Sequence, residues 1–402
     1  MVRAGFWRRL REGYAGLALI WTGVCILFLV GNCVAVLLPE DRSERPPPPH
    51  VIEGLRHAYP GWSDAELVQL RRENWGGFVN DYLVQPREAP AEGRYVSVHP
   101  GGFRISREQG PWPPEERFYN VFLFGGSTTF GYGVPDDQTI ASHLQELLAR
   151  VGDQEVRVYN FGRGAYYSTQ ERIAFEKLLT LGYVPDLAVF IDGLNDFFHL
   201  RDPPLATALL TREADEGKGE TLLALLQRLP LLRRLGGAFA PSTNLATREV
   251  DDDEGEERAA TQKRRARRKA EAPRHDDRET LDAVIARYVA NKAIIEAFGA
   301  AFGVEIAMVW QPVPLYRYDR SHHAYRGNFG RHAYSEFGYP RMAALSLEQP
   351  LGANFLWCAD IQEGVAEALY VDWVHYTPDM SRRVARCIAN LLVERRLVGD
   401  GE

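Results

Sequence analysis

Short apolar runs alternate with helical patterns along the chain from Tyr119 onward. Four of these runs predict buried strands, namely Val121–Phe124, Val156–Tyr159, Leu187–Ile191 and Val304–Trp310. Between and after them, apolar residues recur at helical spacing, and Thr377-Pro378 opens a last helix with Thr as cap and Pro in the first turn. Strands that alternate with helices predict a parallel sheet covered on both faces, in a domain that we place at residues 118–396.

A long apolar run precedes this domain. Residues 15–38 are almost entirely apolar and uncharged, which is enough to cross about 30 Å of hydrocarbon. Arginines precede the run and acidic residues follow it: Arg3, Arg8, Arg9 and Arg11, then Glu40 and Asp41. A cleaved signal peptide is the alternative, but its apolar core is usually about 7–15 residues long. We expect a single-pass anchor in the cell membrane, with residues 1–14 cytoplasmic and the rest outside the cytoplasm.

In three segments the apolar residues recur at neither helical nor strand spacing. Residues 39–50 contain four consecutive prolines and predict a linker. Residues 51–117 predict a partly helical lead-in that packs on the main domain. Residues 251–278 hold an acidic run and then a basic one, which predicts a disordered, solvated insertion, although a role in binding a charged partner is the alternative.

Composition narrows the function. The 402-residue chain has a formal net charge of −7, which argues against nucleic acid as a general partner. Motifs for a P-loop, a dinucleotide or zinc are missing from the sequence, so we expect no cofactor and no metal. Cys25 and Cys33 lie in the apolar run. Cys358 and Cys387 could pair in an oxidising compartment, but the favoured interpretation is two buried thiols.

Polar groups follow each of the first three predicted strands. Ser127 comes directly after the first strand and two glycines, where its hydroxyl could take part in chemistry. The alternative is that this segment is a turn whose hydroxyls cap a helix. The second strand leads into a glycine-rich turn at residues 160–166, and the third leads to Asn195, whose amide can donate to an oxyanion. Because the carboxyl ends of parallel strands meet at one edge of a sheet, these groups are expected to lie together.

A base and its orienting carboxylate are also available. The spacing Asp-x-x-His occurs three times, as Asp196/His199, Asp319/His322 and Asp372/His375. The last pair is preferred because it lies at the end of an α/β unit and ahead of the capped helix. Asp196 has the alternative role of capping a helix or holding the Asn195 loop.

These four blocks, in this order, resemble the SGNH hydrolases, also called the GDSL esterase/lipase superfamily. The resemblance implies a flavodoxin-like three-layer α/β/α sandwich. It also implies that Ser127 is the nucleophile, His375 the general base and Asp372 the orienting acid. The oxyanion would be held by the N–H of Ser127, by Asn195 and by the glycine-rich turn.

Two departures from the family pattern stand out. The first block reads Gly-Gly-Ser-Thr instead of Gly-Asp-Ser-Leu. The expected oxyanion glycine falls at Ala165, with Gly164 one place earlier, so either residue could supply the donor. A backbone N–H serves equally from Ala, provided that its φ stays negative.

The sequence therefore predicts an anchored, extracytoplasmic serine esterase that hydrolyses or transfers acyl groups, with acetyl esters on envelope glycans as an example. A lipid-ester hydrolase and a catalytically silent scaffold or binding subunit in polysaccharide assembly are the alternatives. Residues 310–340 are dense in Tyr, His, Arg and Phe. Such a segment either binds sugars or an anionic polymer, or simply covers the surface.

Overall fold

A computed structural model describes residues 2–37, 49–79, 87–200 and 273–398 of the chain. Most of the predicted linker and residues 251–272 of the predicted insertion lie outside the described residues. The described strands are β1 (Phe78–Val79), β2 (Arg87–Glu88), β3 (Tyr119–Gly125), β4 (Arg150–Val151), β5 (Gln154–Asn160), β6 (Leu187–Asp192), β7 (Glu305–Trp310) and β8 (Phe355–Trp357).

The last six strands form one sheet in the order β4-β5-β3-β6-β7-β8. Only β4 runs antiparallel to its neighbour, and the other pairs are parallel. The five parallel strands follow the 2-1-3-4-5 order of flavodoxin-like sheets, whose ligand crevice lies outside the carboxyl ends of the strands where the order reverses. Here that point falls between β3 and β6. The predicted α/β class with a mainly parallel sheet is confirmed, while the short strand β8 was not predicted.

Ten α-helices occur in the described ranges. They are α1 (Val2–Leu37), α2 (Pro49–Ala58), α3 (Asp64–Asn74), α4 (Ser127–Phe130), α5 (Ile140–Leu148), α6 (Ser168–Thr180), α7 (Leu194–Phe198), α8 (Arg278–Phe302), α9 (Tyr334–Glu348) and α10 (Pro378–Glu394). Thr377 caps α10 by accepting from the N–H of Met380 at 3.3 Å. Ser168 and Glu171 have the spacing of a capping box in the sequence, but Ser168 is the first helical residue and its hydroxyl donates to Asp196 at 2.6 Å.

Helices cover both faces of the sheet. Phe122 and Phe124 of β3 belong to a buried cluster with residues of α6, α8 and α9, and Val121 and Leu123 belong to a second cluster with residues of α5 and α10. Burial on both faces accounts for the continuous apolar run in the sequence, because neither face of β3 meets water.

The segment before β3 packs beside the end of the sheet that carries the polar groups. Leu55 of α2 and Leu67 of α3 are buried with Tyr132 and Val371 in a third cluster. The approach is close: a Cβ at Gly54 would lie 1.7 Å from the carbonyl oxygen of Val371. This segment therefore supports the chain directly before Asp372.

A disulfide joins Cys358, just after β8, to Cys387 in α10, with their Cα atoms 6.1 Å apart. The expectation of two free thiols at these positions is wrong, because α10 packs on the sheet face that the residues after β8 also cover. Cys25 and Cys33 are free and exposed.

The predicted membrane span falls mostly within α1, which belongs to a different compact unit from the sheet. Among the helices in the described ranges, none is long and apolar enough to pass through a bilayer. The anchor at residues 15–38 stays a prediction.

Candidate active site

Ser127 lies where β3 gives way to the short helix α4, at the carboxyl edge of the sheet. As the first helical residue it has a backbone N–H without a partner inside the helix. The preceding Gly126 is required by crowding, because a Cβ there would lie 2.2 Å from Nδ2 of Asn195 and 3.1 Å from the carbonyl oxygen of Tyr166. The turn therefore brings the Ser127 backbone next to the Asn195 amide.

The side chains of Ser127, His375 and Asp372 form a continuous hydrogen-bonded chain. Nε2 of His375 lies 2.8 Å from Oγ of Ser127, and Nδ1 of His375 lies 2.7 Å from Oδ2 of Asp372. All three residues are at least nine-tenths buried. The structure thus brings together, from opposite ends of the domain, the three residues that the sequence singled out.

The Asp372 carboxylate is held by more than the imidazole. Its Oδ1 accepts from the backbone N–H groups of Val374 and His375 at 3.0 and 2.9 Å. Burial raises the pKa of Asp372, but the charge of His375 and these hydrogen bonds outweigh it and bring the pKa down to about 2. The carboxylate is therefore ionised at neutral pH and fixes the imidazole with its Nδ1 as donor.

The other two Asp-x-x-His pairs lack this geometry. Asp319 and His322 are 3.8 Å apart and partly exposed. Asp196 accepts from Ser168 and, at 3.1 Å, from the N–H of Gly193, so it holds the loop that carries Asn195. Nε2 of His199 lies 3.0 Å from the carbonyl oxygen of Ala165.

Asn195 faces the same turn as Ser127. Its Nδ2 donates to the carbonyl oxygen of Tyr166 at 2.7 Å. A side-chain amide has two N–H groups, so this bond orients the amide and leaves a second donor for a substrate oxygen.

The glycine-rich turn differs from the expectation. The N–H of Gly164 donates to Oε1 of Glu88 at 2.9 Å, so this N–H already has an acceptor within the protein. Ala165 has φ = +60°, contrary to the negative φ that we required for it, and this left-handed conformation is uncommon for a residue with a Cβ. Oxyanion binding by either N–H stays a prediction.

Sequence reasoning missed one wall of the site, which comes from the lead-in and from the loop after α4. The Trp75 ring meets the His375 ring edge-on at 5.7 Å, and the Tyr132 ring lies 5.3 Å from it. The Tyr132 hydroxyl donates to Glu88 at 2.8 Å. The richness of the lead-in in Trp was the only signal, and it does not indicate which ring would reach the histidine.

The wall that carries His332 was missed as well. The His332 ring lies 4.7 Å from Phe198 and 5.5 Å from Trp373, and its Nδ1 is buried without a hydrogen-bond partner in the described ranges. Burial, helped by the charge of His375, lowers the pKa of His332 to about 4. This second histidine is therefore neutral at pH 7.

Most of the aromatic segment at 310–340 is packed inward. Tyr316, Tyr318, His323 and Phe329 are buried, whereas Tyr325 and His322 are partly exposed. Within the described residues, no group of three His, Cys, Asp or Glu side chains is placed to hold a metal ion.

No protein-family profile and no curated protein matches the chain. Solved structures do match it. A member of the lipolytic protein G-D-S-L family from Veillonella parvula is 10% identical, with a TM-score of 0.33 over 68% of this chain and 96% of that one. The acetylxylan esterase Axe2 from Geobacillus stearothermophilus is 13% identical, with a TM-score of 0.34 over 68% and 94%. TesA is 14% identical, with a TM-score of 0.35 over 69% and 99%.

At these identities and TM-scores, the chemistry has to be inferred from the side chains around Ser127.

Proposed function

We propose that this protein is a serine esterase whose nucleophile is Ser127, with His375 as general base and Asp372 as the group that orients it. The observation that carries the proposal is the hydrogen-bonded chain from Ser127 Oγ through His375 to Asp372. A carboxylate, an imidazole and a hydroxyl in this order activate a hydroxyl for attack on an acyl carbon.

The geometry supports a two-step reaction. Ser127 Oγ attacks the ester carbonyl carbon while Nε2 of His375 takes the hydroxyl proton. The tetrahedral intermediate then expels the alcohol, which receives that proton, and leaves an acyl group on Ser127. Water attacks next, its proton passes to His375, and collapse releases the acid and returns the proton to Ser127. An alcohol in place of water gives acyl transfer.

The negative oxygen of the intermediate needs donors. We assign the N–H of Ser127 and the free N–H of the Asn195 amide, since Gly164 is bonded to Glu88. A contribution from the N–H of Ala165 stays a prediction.

The substrate that we propose is an acyl ester on an extracytoplasmic glycan. A disulfide is typical of an oxidising compartment, and Cys358–Cys387 therefore favours a location outside the cytoplasm. The ring of Trp75, which lies beside His375 and is partly exposed, can pack against a sugar ring. The ordered and buried Ser–His–Asp chain favours catalysis over a silent scaffold, because a scaffold has no use for a desolvated charge.

Hydrolysis of a short acyl aryl ester by the full-length chain tests the enzyme proposal. Ser127→Ala and His375→Ala are expected to lower kcat on the order of 10⁴–10⁶-fold. His322→Ala is the matched control, because His322 has the same spacing from an aspartate but no hydrogen bond to a serine in the part of the chain that the structure describes. An inert wild type, or a Ser127→Ala chain as active as wild type, contradicts the proposal.

A reporter fused after residue 402 tests the location, with a fusion after residue 14 as its cytoplasmic control. We expect the first reporter to be active only outside the cytoplasm. Activity of the reporter fused after residue 402 in the cytoplasm contradicts the predicted anchor and orientation.

A further inference from the structure

We propose that Arg71 forms a subsite for an anionic group of the substrate, beside the Ser127–His375–Asp372 site. The inference rests on the proposed esterase function and specifies its substrate: an acyl ester whose alcohol part carries a carboxylate or a phosphate.

Arg71 is tied to the site through one aromatic ring. It lies in α3, four residues before Trp75, and its guanidinium carbon sits 3.4 Å from the centre of the Trp75 ring. That ring in turn meets His375 edge-on, with the ring centres 5.7 Å apart. The Trp75 ring is thus in contact with both the Arg71 guanidinium and the His375 imidazole.

The guanidinium lacks the partner that half-buried arginines usually have. Its Nε is buried without a hydrogen-bond partner, and no ion pair of Arg71 occurs within the described ranges. Two other arginines of the segment before β3 are paired, Arg56 with Asp64 and Arg94 with Glu66. Stacking on Trp75 holds the planar group but supplies no acceptor for its N–H donors.

The charge of Arg71 affects which substrates can approach the site, because Asp372 is negatively charged. Burial lowers the pKa of Arg71 to about 10, while the negative charge of Asp372 acts in the opposite direction, so Arg71 stays charged at neutral pH. The carboxylate of Asp372 is already bonded to His375 and to two backbone N–H groups. An anionic substrate would be repelled by Asp372 unless a cation offset it, and Arg71 is placed to do so.

The chemistry of the ligand follows from the donor. A guanidinium offers a planar pair of N–H groups that matches a carboxylate or phosphate better than a hydroxyl. A uronate and a phosphorylated sugar both present such an anion.

Three acetylated sugars distinguish these sources: methyl glucuronoside, glucose 6-phosphate and the neutral methyl glucoside. We expect wild type to prefer at least one anionic ester over the neutral one by about tenfold in kcat/KM, the effect of one charge-assisted hydrogen bond. In Arg71→Gln that ratio should fall to about one, and in Arg71→Lys it should lie between. Arg150→Gln is the control and should keep the ratio. Arg150 of β4 lies opposite Glu155, near the amino end of β5, whereas Ser127 lies at the carboxyl ends of the strands.

Equal rates on charged and neutral esters in wild type, or an unchanged ratio in Arg71→Gln, overturn the subsite while leaving the esterase intact. A binding measurement tests the subsite in case the protein hydrolyses none of these esters. The full-length Ser127→Ala chain is titrated calorimetrically with methyl glucuronoside and with inorganic phosphate, with and without Arg71→Gln. If an anion binds and Arg71→Gln abolishes that binding, the subsite is supported even when no ester is hydrolysed, and the absence of hydrolysis then rejects only the esterase proposal. If neither anion binds, the subsite proposal is overturned.

Discussion

The backbone N–H of Gly164 donates to Oε1 of Glu88 at 2.9 Å, so a residue of the lead-in holds the loop that faces the Ser127 turn. Glu88 is buried and also accepts from Tyr132, whose ring packs against His375. One carboxyl group therefore fixes both the glycine-rich loop and a wall of the site. Burial raises the pKa of Glu88, and the bond from Gly164 opposes that rise.

Removing this carboxyl group tests its structural role. Glu88→Ala leaves the Gly164 N–H and the Tyr132 hydroxyl without their acceptor, and we expect a loss of about 2–3 kcal/mol in the free energy of unfolding. Glu88→Gln keeps an acceptor oxygen in the same place and should lose less than half as much. Urea unfolding measures both, and equal losses in the two variants would show that the hydrogen bonds are unimportant.

Asn195 is expected to act on the transition state. Asn195→Ala should lower kcat about 10²–10³-fold with little change in KM, the loss typical of one oxyanion donor. Gly126→Ala provides an independent check, because a Cβ there would collide with Nδ2 of Asn195 and displace the amide. We expect it to lower kcat as well. Steady-state kinetics that find either variant near wild type would remove Asn195 from the oxyanion site.

Asp372 makes the stability of the fold depend on acid. Its pKa is about 2 in the folded chain and about 3.9 in an unfolded one, so its contribution is full above about pH 5 and is lost as the pH falls toward 1. The difference between the two pKa values corresponds to about 2.6 kcal/mol. Asp372→Asn should flatten the decline in unfolding free energy between pH 5 and 1 by that amount. Parallel declines in the two proteins would contradict the depressed pKa.

The disulfide closes a loop between residues 29 apart in sequence. Replacing Cys358 and Cys387 together by Ala is expected to cost about 3 kcal/mol of unfolding free energy, whereas Cys25→Ala, at a free and exposed thiol, should cost little. Guanidinium unfolding measures the difference. Titration of four free thiols in protein purified from an oxidising compartment would contradict the pairing.

The sequence predicted the parallel sheet and the positions of Ser127, Asn195 and His375 well, because each feature depends on local pattern. An apolar run buried on both faces marks a strand such as β3, and the polar residues directly after it must lie at the sheet edge. Thr377 was likewise predicted as a cap from its neighbour Pro378, and it is one.

Other features depend on contacts between distant segments, and no local pattern records them. Ser168 has the sequence of a helix cap, but Asp196 takes its hydroxyl. Glu88 and Trp75 reach the site only because the lead-in packs beside Val371. The left-handed φ of Ala165 contradicts the usual preference of alanine and could not be inferred from residue type.

Labelling with a serine-reactive phosphonate tests the central claim most directly. The full-length protein should gain the mass of one phosphonyl group, located by peptide mass spectrometry on Ser127, and His375→Ala should react far more slowly because Ser127 then lacks its base. No adduct on Ser127, or equal rates in wild type and His375→Ala, would contradict the assignment of Ser127 as an activated nucleophile.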